Sequence, residues 1–171
     1  MATKTVSVAS DAVVYDSKID IALEARKELV GMLNQQLADT ADLHGQVKQA
    51  HWNVKGIHFQ QLHELFDKVA ESIEEYVDTI AERVTTLGGV AMGTVRMAAE
   101  NSTLPEYPAN IVTGEDHLNT VIDRWAAYAA SNRAAATRSG ELGDPTTEDM
   151  FVEISRAVDL SLYFLESHIQ D

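Results

Sequence analysis

Apolar residues recur every three or four positions along most of this chain, the period of a helix with one buried face. The first run sets in at Ile19 and continues through Leu23, Val30, Leu33 and Leu37 to His44, Val47 and His51. Gly56 is its expected stop. A second run, from Phe59, Leu62, Phe66, Val69 and Ile73 to Val77, Ile80, Val84 and Leu87, keeps the spacing until Gly88 and Gly89. A third begins at Thr113, a hydroxyl cap with Asp116 three residues on, and passes through Leu118, Val121, Ile122, Trp125 and Tyr128 to Gly140. The fourth opens at Asp144 with Pro145 in the first helical position, then continues through Ile154, Val158, Leu162 and Leu165.

Between the second and third runs lie residues 90–113, with two of the three prolines. That is longer than most helix–helix loops, so a short helix of its own or an interface role is expected there. Residues 1–18 lack a clear apolar period and read as a flexible tail, which leaves 19–171 as one domain. The fold class is all-α. Four long amphipathic helices with one crossover-length connection fit a ferritin-like bundle better than a simple up-down one.

Composition narrows the chemistry. The chain has 171 residues, 45% of them hydrophobic, enough for one domain with a real core. It contains no Cys, so disulfides and thiolate metal sites are excluded. Any metal site must be built from His and carboxylates. The N-terminus lacks the basic and apolar regions of a signal peptide, and no run approaches the ~18 apolar residues of a membrane span. No membrane association and a cytoplasmic location are therefore expected. The net charge of −14 argues against extensive phosphate contact. It suits a surface or cavity that attracts cations, although solubility alone would also explain it.

The second helix carries a polar stripe beside its apolar one. His63, Asp67, Asp78 and Glu82 are spaced 4, 11 and 4 residues apart. They fall at about 0°, 40°, 60° and 100° around the axis, one face of a helix. Glu71 and Glu74 share it. A solvated charged face is the competing explanation. Against it, His63 and Asp67 have the i, i+4 spacing of a chelating pair, and basic residues are nearly absent from the stripe. The His63/Asp67 and Asp78/Glu82 pairs lie ~22 Å apart along the axis and cannot hold one ion on one helix. An antiparallel copy related by a two-fold axis near residues 72–73, where Ser72 is small, would bring one pair opposite the other. Such an isologous dimer holds two identical sites. The Glu-x-x-His motif of intrasubunit di-iron bundles is missing.

The stretches "HWNVKGIHFQQLHELFD", "DTIAERVTTLGGVAMGT" and "YPANIVTGEDHL" resemble the Dps family, DNA-binding proteins from starved cells, also called mini-ferritins. The resemblance extends from about residue 20 to the end. It implies a hollow homo-dodecamer of four-helix bundles that oxidises iron(II), with hydrogen peroxide preferred over dioxygen, and stores iron(III) mineral. It also implies a ferroxidase centre at the two-fold interface, made of His51, His63 and Asp67 from one subunit and Asp78 and Glu82 from its partner. The implied cofactor is iron, two ions per site, with zinc or other divalent metals as competitors. Trp52 beside the site would take up a stray oxidising equivalent or simply pack in the interface.

The resemblance further suggests that the corner before the last helix surrounds a three-fold pore. Glu141, Asp144, Glu148 and Asp149 would form its carboxylate ring. A helix start by itself explains Asp144 and partly Glu148. His44 reads as a buried or interface residue, and His58, His117 and His168 as surface or packing residues. DNA binding in the family relies on a Lys/Arg-rich tail. Here Lys4 and Lys18 are balanced by Asp11 and Asp16, so DNA binding is expected to be weak or absent. Two other functions remain in view: a nucleoid-binding protective protein, and a metal-dependent hydrolase on the same shell.

Overall fold

The computed structural model describes residues 13–170. Five helices and no strand occur among them: α1 (Leu23–Asn53), α2 (Phe59–Thr86), α3 (Val95–Asn101), α4 (Gly114–Glu141) and α5 (Pro145–Glu166). The four expected long helices are present, and the expected short helix in the connection is α3. The first begins at Leu23 rather than Ile19, after residues 19–21 turn against the core. No helix among the described residues is long and apolar enough to cross a membrane.

Short corners make two hairpins. Residues 54–58 join α1 to α2, and Gly56 there has φ +112°, a left-handed backbone that glycine adopts without strain. Residues 142–144 join α4 to α5. The hairpins pack α1 on α4 and α2 on α5. Gly114, at the start of α4, sits so close to the α1–α2 corner that a Cβ there would lie 2.7 Å from Leu62 Cδ1. At the other end, Arg138 donates to Glu28 at 2.7 Å. The connection from α2 to α4 therefore has to cross the whole length of the bundle.

Buried polar residues on α1 hold that connection. Asn34 donates to Val90 O and accepts from Met92 N. Gln35 donates to Asn101 O, and Asp39 accepts from Thr103 N at 2.6 Å. Asp42 accepts from the Ser102 hydroxyl, and Gln46 donates to Pro105 O. These contacts explain why Asn34, Asp39 and Gln46 are buried on a helix that needs only one apolar face. Burial pushes the Asp39 carboxyl up, and the bonds from Thr103, Gln35 and Ser102 only partly offset it.

The core is formed by Leu33, Leu37, Phe66, Ile73, Ile80, Trp125, Tyr128, Phe151 and Ile154, all fully buried. The polar tips of its large aromatics are satisfied. Trp125 Nε1 donates to Val158 O at 2.8 Å. Thr40 donates its hydroxyl to Gln36 O, so Tyr128 must donate to Thr40 Oγ1, 2.8 Å away.

Of the expected tail, residues 1–12, with Lys4 and Asp11, lie outside the described residues. Its end is tied down. Tyr15 N donates to Gly88 O at 2.8 Å, and Arg26 Nη1 donates to both Tyr15 O and Leu87 O. A Cβ on Gly88 would lie 2.7 Å from Tyr15 O, so the segment passes over Gly88 only because no side chain is there.

Candidate metal centre

The α1–α2 corner folds the last turn of α1 back over the second turn of α2, which brings His51 against His63. Their rings stack with centroids 3.7 Å apart and planes 21° from parallel. Each ring bonds to the other residue's backbone: His51 Nδ1 lies 2.8 Å from His63 O, and His63 Nδ1 lies 2.8 Å from His51 O. A carbonyl only accepts, so each Nδ1 carries the proton. A neutral imidazole has one N–H, which leaves each Nε2 with its lone pair free. Backbone bonds of this kind fix the tautomer and ring orientation of a metal-binding histidine.

Asp67 joins them one turn after His63, with Oδ1 3.8 Å from His51 Nδ1. Its main partner is a cation that sequence reading passed over. Lys48 Nζ donates to Asp67 Oδ1 at 2.5 Å, and this ammonium holds the Asp67 carboxyl below the ordinary range. The signal was present: Lys48 lies three residues before His51, on the same face of α1. The stripe on α2 thus receives a positive charge from the neighbouring helix rather than from its own.

Asp78 and Glu82 lie far along α2 from this cluster and are exposed. With Glu71 and Glu74, also exposed, they take part in no ion pair among the described residues. Within one copy, no three His or carboxylate side chains converge on an ion position among the described residues. Trp52, next to His51, is 65% exposed. Ser72 does not sit on the carboxylate face. Its hydroxyl donates to Val69 O and meets Ser161 Oγ of α5 at 3.2 Å, so within the subunit it faces α5.

The corner before α5 divides the expected pore residues. Asp144 is 1% exposed, and Arg83 Nη2 donates to both of its oxygens at 2.8 Å. It also caps α5 by accepting from Thr147 N at 3.1 Å. Burial pushes its carboxyl up, but the bonds from Thr147 and Arg83 outweigh burial and hold it below the ordinary value. Asp144 is therefore a buried strut between α2 and α5, and its assignment to an open carboxylate ring is corrected. Glu141 is exposed and pairs with Arg138 at 2.7 Å. Asp149 is exposed and Glu148 half-buried.

The other histidines separate by environment. His44 is half-buried, while His58 and His168 are exposed. His117 is buried against Tyr107.

Comparison with known proteins adds an independent line. A family described as a ferritin-like domain matches residues 30–171. A DNA protection during starvation protein of Agrobacterium fabrum is 42% identical over 157 residues, covering 92% of this chain and 97% of that protein. Among solved structures, DpsC of Streptomyces coelicolor is 36% identical with a TM-score of 0.87, covering 92% of each chain. A second Dps protein of that organism is 30% identical with a TM-score of 0.89, covering 95% of this chain and 96% of the other.

Proposed function

This chain belongs to the Dps family of ferritin-like proteins, and on that premise we propose that it oxidises iron(II) at centres shared between two subunits and stores the iron(III) product inside a twelve-subunit shell. One observation carries the reading. His51 and His63 are held as Nδ1–H tautomers by each other's backbone, with both Nε2 lone pairs left free and Asp67 Oδ1 3.8 Å from His51 Nδ1. That is half of a centre. The other half, Asp78 and Glu82, lies ~22 Å along the same helix at 1.5 Å per residue and must come from a second copy.

The donor set suits iron in both oxidation states. Imidazole nitrogens retain affinity for iron(II), while carboxylates stabilise the higher charge of iron(III). With hydrogen peroxide as oxidant, two iron(II) ions supply two electrons, and two protons complete the reduction of peroxide to two waters. The chain's own groups bind and orient. The backbone carbonyls of His51 and His63 hold the imidazoles, and Lys48 balances Asp67 until a metal cation competes for it. Zinc and other divalent ions would compete for the same donors. The surplus of acid over base on the chain, −14 overall, favours cation entry and opposes tight DNA binding.

Complementation tests the shared centre. His51→Ala and Asp78→Ala should each lose rapid iron(II) oxidation. When subunits of the two variants are mixed and reassembled, a mixed dimer pairs both lesions in one centre and leaves the other intact. Random pairing should restore about a quarter of native activity. Recovery no greater than the sum of the separate variants would sink the proposal, as would normal oxidation by either variant alone.

A further inference from the structure

The connection from α2 to α4 ends against a buried histidine that the candidate centre does not use. His117, in the first turn of α4, is 1% exposed. Its Nδ1 lies 2.6 Å from Tyr107 Oη, and the two rings are 19° from parallel. Its Nε2 is sealed from solvent with no hydrogen-bond partner. Tyr107 in turn lines a cavity of about 530 Å³ together with Asp42, Gln46 and Ser102, the residues that hold the connection to α1. Arg124 of α4 fastens the same stretch by donating to Pro105 O and Glu106 O.

This site accepts a neutral imidazole and disfavours a charged one. Burial pushes the Tyr107 phenol up to about 12, so it keeps its proton and donates it to Nδ1. A proton added to the ring changes this. Nδ1 becomes a donor, the phenol must turn into an acceptor, and the phenol's own hydrogen loses its partner. The imidazolium would then rest on one neutral oxygen in a desolvated position, which is costly. The neighbouring charges do not repair it. Burial, the largest effect, and Lys55 from the α1–α2 corner both disfavour the charged ring, and together they outweigh Asp116 on α4, so His117 lies below its ordinary 6.5.

We propose that the Tyr107–His117 contact is an acid-sensitive latch: it fastens residues 105–113 to α4, and protonation of His117 releases them. Through Gly114, packed on Leu62 and Lys55, the latch also braces the corner between α1 and α2. The direction follows from linkage. A histidine lowered in the folded state contributes fully to the latched form above its unperturbed 6.5. That contribution falls as pH drops from there towards the folded-state value.

Hydrogen–deuterium exchange on the full assembled protein tests it. After correction for intrinsic exchange, opening of 105–113 relative to mid-α1 should rise below pH 6.5, by up to about tenfold per pH unit. Exchange at the imidazole C2 position, followed by mass spectrometry on the native chain, should place half-protonation of His117 below 6.5. His117→Gln should flatten the pH dependence of 105–113 while mid-α1 is unchanged. Equal protection of 105–113 at pH 7.5 and pH 5 in the native chain overturns the latch. So does a His117 midpoint at or above 6.5, or a His117→Gln protein that keeps the native pH dependence. The two native-chain measurements decide the question even if the variant does not fold.

Discussion

Replacing Asp144 with Ala separates a strut from a pore lining. Asp144 is 1% exposed and receives two 2.8 Å bonds from Arg83, whose side chain is only 12% exposed. It also accepts from Thr147 N and from the Thr147 hydroxyl. Losing an N-cap costs about 1 kcal/mol. Removing one partner of a buried, hydrogen-bonded ion pair costs about 3–5 kcal/mol, because the remaining charge is stranded. The same oxygens serve both purposes, so the two figures overlap, and ~3–5 kcal/mol is the expected total. For a chain of this size that corresponds to a fall in Tm of roughly 10 °C. The assay is thermal unfolding by circular dichroism at matched protein concentration, with Asp149→Asn as the exposed control, expected within ~0.5 kcal/mol of native. Asp144→Thr combined with Arg83→Met should cost less than the sum of the two single changes, since neither charge is left unpaired. If Asp144→Ala instead melts within ~1 kcal/mol of native and slows iron entry, the carboxylate is open to the pore and the strut is refuted.

Lys48→Met should tighten binding of a divalent probe such as cobalt(II) by a few-fold and strengthen its dependence on salt, since Asp67 no longer carries a competing ammonium and its full charge faces the cation; unchanged titration isotherms would count against this. Gly89→Ala should destabilise the fold by about 1–3 kcal/mol, because a Cβ there would lie 2.6 Å from Val30 Cγ1 and 2.9 Å from Val84 Cγ1; a native denaturant midpoint would show that α1 and α2 can spread apart. The Asp144 contribution has a defined pH window. Its carboxyl is lowered from 3.8, so its stabilisation is complete above about pH 4 and is lost as pH falls through the lower folded-state value. Asp144→Asn should therefore flatten the acid limb of the stability profile, and an unaltered limb contradicts the assignment.

The helices were legible because periodicity reports one buried face per helix, and Thr113, Asp144 and Pro145 carry their capping roles in their own chemistry. The neighbours of each helix were not legible. Spacing places Lys48 on the His51 face of α1, but its pairing with Asp67 on the stripe of α2 depends on how the two helices pack. Ser72 is small, which suggested a helix crossing, but within the subunit it faces α5 and meets Ser161. The acidic run around Asp144 gives it a capping role and suggests a pore lining, but its burial against Arg83, 61 positions earlier, is a tertiary contact that the run does not encode. The reciprocal bonding of His51 and His63 depends on the angle at which the corner returns, and residue identities do not encode that angle directly.

The polar residues along α1 that hold the connection also bear on the order of folding. Each hairpin closes through a corner of a few residues, so its contacts are local and quickly found. The connection has no such advantage. Gln46 reaches Pro105 across 59 positions and Gln35 reaches Asn101 across 66. Its far end is secured only when α4 exists to supply Arg124 and His117. During synthesis, a chain released only as far as α3 would already have Val90 and Met92 for Asn34, but would carry Asp39 and Gln46 along α1 without Thr103 and Pro105. The groove beside α1 would stay wet until the second hairpin arrived, and closure of that groove would be a late event in maturation of the subunit.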